Sequence, residues 1–488
     1  MKEKSFILFI IVGILFGVLN TITVYSPFLS GVVAVLEAAI VLYYIITKKN
    51  RKGFYYFLLF TCLSIEQDAF IYGEYLSSEI ERYYFFSMPL FRSYLFMALC
   101  LYYYIKFHKL QNKQRLEYYP LHFQKWLIVL LVSGLLSIMV GMLLNDNGIT
   151  SSGYYPRTAI QQVLGFFGLF FIIMAAIEIT KNEKYREELS KASLLLLCAV
   201  VISAIITTFV FGVTGVYEKY DIMLTPISIA LTPMLVLFFP KSQDSTYKVL
   251  SLSLGLLICF STFFYPTCIG SKWYLVLLVA FLGWILLTVG AKSIVWIFFG
   301  GIIVIMLVAQ FGETLLGSMN NDYVVYKLSQ TLKLFNFFGT SSITDSFYEL
   351  DNSTLYRFDE PANIFIEYTE KPLYALFGKG FGGTTLHHTP LLPWEFDKGS
   401  FSDAQIKIGA YYNMHETTAV LFLRHGILGI CFLVYTIYML VKKVAVTPWA
   451  MIALVWFVFY WSYGISSVIG AVAIVLALTA KDKETRLS

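Results

Sequence analysis

Apolar positions in this chain gather into long unbroken runs, without the alternating or four-residue spacing of a water-soluble fold. Runs of about 20 residues fall near 6–24, 27–47, 54–72, 84–105, 125–144, 158–178, 192–214, 222–239, 248–265, 272–290, 293–312 and 416–441. Each is long enough to cross the roughly 30 Å hydrocarbon core of a bilayer as a helix. A last apolar stretch, 448–480, is long for one span and short for two. Split at "WSYGISS" into a tight hairpin, it brings the total to about fourteen spans (12–14). The pattern predicts an all-α polytopic membrane protein.

Composition agrees, since 58% of the 488 residues are hydrophobic and only 14% charged, for a mean hydropathy of +0.69. A soluble fold of this length could not bury that much apolar surface. The polar segments between runs orient the spans. Most of the 36 lysines and arginines fall in alternate segments: Lys2, Lys4, "KKNRK", the 106–125 segment, "KNEKYREELSK", Lys241, Lys248, Lys292, Lys442, Lys443 and the final "KDKETR". The short loops of opposite facing hold only Arg82, Arg157, Lys219 and Lys272. By the positive-inside rule both termini are expected in the cytoplasm. Scattered basic clusters and a net charge of +5 point away from a nucleic-acid partner. The six cysteines show no Cys-x-x-Cys or Cys/His spacing, so neither a disulfide framework nor a zinc site is indicated, and no cofactor is expected. The N-terminal run has a basic start but no small-residue cleavage site, and reads as a retained first span.

One segment breaks the regularity. From 313 to 415 about a hundred residues face outward, too many for a connector. Three parts follow: a membrane domain of about eleven spans (1–312), a large extracytoplasmic loop (313–415), and C-terminal spans (416–488) that complete the same membrane domain. Within the loop, "YVVYKLSQTLKLFNFFG" places apolar residues at 324, 325, 328, 332 and 335, the spacing of an amphipathic helix lying on a membrane surface. Further on, "EPANIFIEYTEKPLYALFGKGFGG" predicts a helix from about Ala362, a break before Pro372 and a glycine-rich turn.

Charge within an apolar span is costly and marks a working site or a structural pair. The run Tyr411–Leu440 opens with His415 and Glu416 and carries Arg424 and His425 further in. On a continuous helix Gly426 lies about 20° and Gly429 about 40° from the azimuth of His415. One face would then carry a histidine at the outer mouth above two glycines against which a neighbouring helix could pack. Imidazole titrates near neutrality and can take a proton from a sugar hydroxyl; an interfacial polar residue is the alternative. Arg424 falls on the opposite side, about 13 Å deeper, where a structural pairing with a buried carboxylate such as Glu37 is expected, and His425 reads as a hydrogen-bonded core residue. Arg92 could line an outward cavity or pair internally. Arg157 and Arg357 lie at the outer rim, where guanidinium groups suit the phosphates of a lipid diphosphate, or of ordinary headgroups. The Gly378–Gly383 turn lacks the GK[ST] ending of a nucleotide-binding loop. His387 and His388, with no Cys or spaced acid nearby, offer little to a metal.

Together these residues resemble the O-antigen ligase and Wzy-type O-antigen polymerase superfamily. His415, Glu416, nine residues, Gly426, two residues and Gly429 resemble its His, small polar residue, nine residues, Gly-x-x-Gly motif. Arg357, Pro372 and Gly378-Lys-Gly380 are similar to its arginine, helix, Pro-Leu and Gly-x-Gly pattern. The likeness is specific over about 75 residues (355–430). Glu416 stands where the family has an amide or hydroxyl, and two extra residues separate Pro372 from the glycines. The resemblance implies a GT-C-like membrane glycosyltransferase of the bacterial cytoplasmic membrane, acting on its outer face by metal-independent, inverting transfer. The donor and acceptor would be glycans on undecaprenyl diphosphate, with room for a chain-length regulator as a partner. By analogy His415 would be the catalytic base and Arg357 and Arg157 would hold the diphosphate, with Glu416, Arg92, Arg424, Gly378 and Gly380 in support. A polymerase of repeat units is the leading expectation, on the span count; a ligase moving glycan to another acceptor shares the constellation. A lipid-linked sugar flippase is the rival of another class, though such folds are often built from two related halves, and none are visible in this chain.

Overall fold

The computed structural model describes residues 3–23, 27–63, 91–110, 123–143, 155–180, 182–211, 352–389, 403–412 and 417–444, together with Leu392, Trp394, Phe401, Met414, Ala450, Ala453 and Leu454. The apolar runs between 222 and 312, the amphipathic segment at 324–335 and nearly all of 448–480 lie outside these residues. Among the described residues the chain is helical with no strand, apart from a single antiparallel bridge between Thr385 and Tyr411. The helices are α1 (Glu3–Ile22), α2 (Pro27–Ile46), α3 (Asn50–Leu63), α4 (Phe91–Leu110), α5 (Phe123–Leu143), α6 (Tyr155–Thr180), α7 (Glu183–Phe211), α8 (Asn352–Glu370), α9 (Pro372–Phe377), α10 (Asp403–Ile408) and α11 (Thr417–Val444).

The first seven fall on apolar runs, because a run of apolar side chains on a chain without glycine or proline clusters can satisfy its backbone only internally. Among the described residues two helices contain segments long and apolar enough to cross a membrane, α6 (Gln162–Thr180) and α11 (Thr417–Lys443); Ile7–Asn20, Gly31–Ile46 and Lys125–Gly141 are shorter apolar stretches. Helix α7 begins earlier than its apolar run. The charged segment before that run continues the helix, with Lys191 and Glu187 paired at 2.8 Å one turn apart.

Packing is by close helix approach. Gly13 and Gly17 on α1 face Ala199 and Ser203 on α7; a Cβ on either glycine would lie 2.6 Å from the Ala199 methyl or 2.5 Å from the Ser203 hydroxyl. Small residues four apart on both helices are the arrangement by which membrane helices bring their backbones together. Between α1 and α2 the Asn20 amide donates to Glu37 at 2.8 Å in an otherwise apolar interface. Aromatic rings of α3, Phe54 and Phe57, fill the space toward Tyr103 and Phe107 of α4. Helix α6 links the two halves of the bundle, packing on α4 and α7 on one side and on α5 on the other. Helix α5 in turn carries α9 and α11, and α8 lies across both of these.

Two elements depart from the sequence expectation. Helix α8 starts at Asn352, about ten residues early, and runs through Pro361. The missing proline N–H is tolerated in a helix held by burial on both sides of it, at Leu355 and Tyr356 before the proline and Ile364 and Tyr368 after it. Helix α11 is not one straight span, because its backbone leaves the helical region at Gly426 (φ 56°, ψ −141°).

Candidate functional site

A break inside a helix strips the preceding carbonyls of their donors, and buried carbonyls need replacements. At Gly426 the replacements come from the end of α8 and from the glycine-rich turn. The Tyr368 hydroxyl reaches the carbonyls of Phe422 (2.9 Å) and Leu423 (2.8 Å). The Lys379 N–H donates to Leu423 at 2.7 Å and the Gly380 N–H to Arg424 at 3.0 Å. The approach is close enough to require glycine. A Cβ at Gly378 would stand 2.3 Å from the Arg424 carbonyl carbon, and one at Gly426 2.5 Å from the Ala375 carbonyl oxygen. Both have positive φ, so an L side chain is excluded on two counts.

The other side of the turn rests on α5 and α6. A Cβ at Gly380 would lie 2.4 Å from the Gly134 carbonyl oxygen, and one at Gly134 2.6 Å from the Phe381 ring. Ser137 donates its hydroxyl to the Phe377 carbonyl at 2.7 Å, and the Gly382 N–H donates to the Gln162 side chain at 2.7 Å. Gly378 and Gly383 donate to Tyr374 and Gly380. With the N–H groups of residues 378, 379, 380, 382 and 383 all committed to protein acceptors, the turn is a structural wedge rather than a phosphate cradle of the kind that free N–H groups make.

Helix α8 carries a polar stripe. Asp359, Asn363 and Glu367, four residues apart, lie on one face, and all three are buried. An extended segment, 384–389, runs along them. The Asp359 carboxylate accepts from the Thr389 hydroxyl and from the Trp394 indole (2.6 Å). Asn363 accepts from the N–H of His388 and Thr389. Glu367 accepts from the Leu386 N–H, faces His388 Nε2 at 3.2 Å, and pairs with the Lys379 ammonium. Lys379 also donates to the Thr384 carbonyl at 2.8 Å. Burial pushes the Asp359 carboxyl above the usual carboxylate range, against the lowering effect of its hydrogen bonds to Thr389 and Trp394. The extended segment is tied onward by the Thr385–Tyr411 bridge, with N–H to carbonyl distances of 2.8 and 2.9 Å. Beside it Trp394 packs against Tyr411 and Phe401 and stacks on His387.

The sequence-selected residues stand in different relations to this wedge. His415 and Glu416 lie outside the described residues; the positions flanking them in the chain, Tyr411, Tyr412, Met414 and Thr417, are buried. Arg157 and Arg92 fall in the first turns of α6 and α4, with their side chains outside the described set. Arg157 is two residues from Ala159, whose Cα and Cβ line the approach to Gly382. Arg357 is half-buried on α8, next to Tyr356, which packs on Phe401. Arg424 is buried with its carbonyl on Gly380, and Glu37 takes the hydrogen bond from Asn20. His425 has Nδ1 3.0 Å from the Ser133 hydroxyl, which donates to the Leu130 carbonyl. The single-helix azimuth relating His415 to the two glycines ends at the break. A Cβ on Gly429 would sit 2.3 Å from the Leu421 carbonyl oxygen, two residues that an unbroken helix would separate by about 12 Å. Gly426 therefore admits α9, and Gly429 admits the first half of its own helix.

No family model, curated protein or solved structure matches the chain. Among the described residues no group of three or more His, Cys, Asp or Glu is placed to hold a metal ion. The residues that sequence reasoning passed over are Asp359, Asn363, Glu367, Tyr368, Lys379, Ser137 and Gln162. Only the first three carried a signal, the four-residue spacing of polar side chains in "DEPANIFIE"; the others acquire a role through partners distant in the chain.

Proposed function

We propose that this protein is a multi-pass membrane glycosyltransferase that joins lipid-diphosphate-linked oligosaccharide repeat units into a surface polysaccharide. It is read as crossing the bacterial cytoplasmic membrane about fourteen times, with both termini inside and the site facing out, in keeping with its apolar runs and the distribution of its basic residues.

The observation that carries the reading is the set of direct hydrogen bonds around the glycine turn. They tie together the four stretches that make up the family-like pattern: the helix bearing Arg357, the Gly378–Gly380 turn, the segment leading to His415 through Tyr411, and the break at Gly426. These stretches are dispersed over about 75 residues, and a working site is a reason for them to converge.

In this reading His415 takes the proton of the acceptor hydroxyl as its oxygen attacks the anomeric carbon of the donor. The new glycosidic bond forms with inversion and the bond to the lipid diphosphate breaks. Arg357 and Arg157 offset the charge on the departing diphosphate. Undecaprenyl diphosphate is the carrier that the family likeness points to. The turn, with the N–H groups of 378, 379, 380, 382 and 383 held by protein acceptors, holds the protein parts in place and leaves phosphate binding to side chains.

The test is the lipid-linked glycan profile of cells carrying His415→Ala, with membrane abundance of the variant measured in parallel. Accumulation of single repeat units and loss of long chains at normal abundance is the expected result. Long lipid-linked chains that fail to reach their final acceptor would instead identify a ligase, and glycan of normal length and destination would remove His415 from the chemistry.

A further inference from the structure

We infer that α9 and the glycine turn, residues 372–383, form a re-entrant element. It dips below the membrane surface between α5 and α11, with Leu373 and Leu376 against lipid acyl chains. The inference rests on the reading of α5, α6 and α11 as membrane spans.

Three independent contacts place the element inside the ends of the helices it touches. At about 1.5 Å per helical residue, Gly134, which touches Gly380 and Phe381, lies about 13 Å from the Leu143 end of α5. Gly426, which touches Ala375 and Gly378, lies about 13 Å from the Thr417 end of α11. Gln162, which binds the Gly382 N–H, lies about 10 Å from the Tyr155 end of α6. These are the three outward ends in the charge-derived topology. A segment resting on the membrane surface would touch all three helices near those ends. This one touches them further in: counted from the outer ends of the apolar runs 125–144, 158–178 and 416–441, the contacts lie about 15, 6 and 15 Å inside at about 1.5 Å per residue, within the outer half of a hydrocarbon core about 30 Å thick.

The chemistry of the element meets what that depth demands. Irregular backbone is tolerated there only where its polar groups are satisfied within protein, and the N–H groups of 378, 379, 380, 382 and 383 all have protein acceptors. The one ammonium of the segment, Lys379, is buried and paired with Glu367, as an intramembrane charge must be. On the outward side, α9 ("PLYALF") has no charged residue, and Leu373 and Leu376 are half-exposed. Leu135, Leu136 and Met139 of α5, the helix against which α9 packs, are exposed apolar side chains as well. Lipid is therefore the occupant this face fits.

The experiment is spin labelling in liposomes of the full chain with its six native cysteines replaced. Single cysteines are introduced as Leu376→Cys, Leu373→Cys and Leu135→Cys, and collision rates with oxygen and with a water-soluble nickel chelate are compared. Leu373→Cys serves as the second probe of the element should Leu376→Cys not insert. The expected result is a high oxygen and low nickel rate on α9, with a ratio several-fold above that of a water-exposed label and close to that of Leu135→Cys. Nickel access on α9 with none at Leu135→Cys would overturn the insertion while leaving the membrane reading of α5 intact. Low access to both reagents on α9 would mean that protein covers it, overturning the lipid contact. Nickel access at Leu135→Cys would remove the span, and the insertion with it.

Discussion

The backbone N–H of Gly380 donates to the carbonyl of Arg424 at 3.0 Å. This bond replaces a donor that α11 loses when its backbone turns aside at Gly426. The glycine turn and the helix break are thus two halves of one structure. Neither would be stable in an apolar setting alone, because unsatisfied carbonyls there cost about as much as a lost hydrogen bond each.

Gly426→Ala is expected to destabilise the protein by about 3 kcal/mol, the upper range for strained backbone, since its Cβ meets backbone atoms of Ala375, Leu376 and Gly378 that cannot swing away. Gly409→Ala is the control. Its φ is +70° but nothing lies within 4 Å of the added methyl, so only the left-handed cost of about 1 kcal/mol applies. The midpoints of thermal aggregation in detergent check the ranking; equal shifts would refute the tight seating of α9 in the break.

Removing the Lys379 ammonium leaves Glu367 buried without its cation. Lys379→Met is expected to cost about 3–5 kcal/mol, and the double variant Lys379→Met/Glu367→Gln to recover much of that loss. Glutamine can still accept from the Leu386 N–H, which Glu367 serves in the native protein. A double variant no more stable than the single one would show that the pair does not act as a unit.

Tyr368→Phe keeps the ring against Phe422, at 4.9 Å between centroids, and deletes only the hydroxyl that serves the Phe422 and Leu423 carbonyls. A loss of about 1–3 kcal/mol is expected, the cost of leaving a buried acceptor short of a donor. Leu423 retains the Lys379 N–H, which places the outcome toward the lower end. Faster proteolysis between α8 and α11 at unchanged global helicity is the accompanying signature.

Asp359 gives the segment it holds a pH dependence of definite sign. Burial raises its folded carboxyl pKa above the unfolded value, so the folded state holds the proton more tightly. Its stabilising contribution is complete below the ordinary value of about 4 and is lost as the pH rises through the raised one. Protease protection of the segment around Trp394 should therefore weaken as the pH climbs from about 4, and Asp359→Asn should flatten that dependence. A protection profile that strengthens with pH in the native protein and persists in the variant would contradict the assignment.

The helices α1 to α7 were legible because helix formation in an apolar run is a local matter. Twenty apolar residues carry the information within themselves. The glycine turn was legible for the same reason, as a punctuation of the chain. The role of Lys379 was not. Its lysine looks like any basic loop residue until Glu367 is brought against it.

Local pattern says which residues share a face and leaves open which way the face turns. Asp359, Asn363 and Glu367 share one stripe of α8, and solubility rules would turn that stripe outward. The structure buries it because the 384–389 segment offers a row of backbone N–H groups there, a partner that only the folded chain supplies. The break at Gly426 is likewise tertiary. Sequence marks a glycine suited to close packing, but a helix gives up its own hydrogen bonds only where other donors stand ready, and those belong to Tyr368, Lys379 and Gly380.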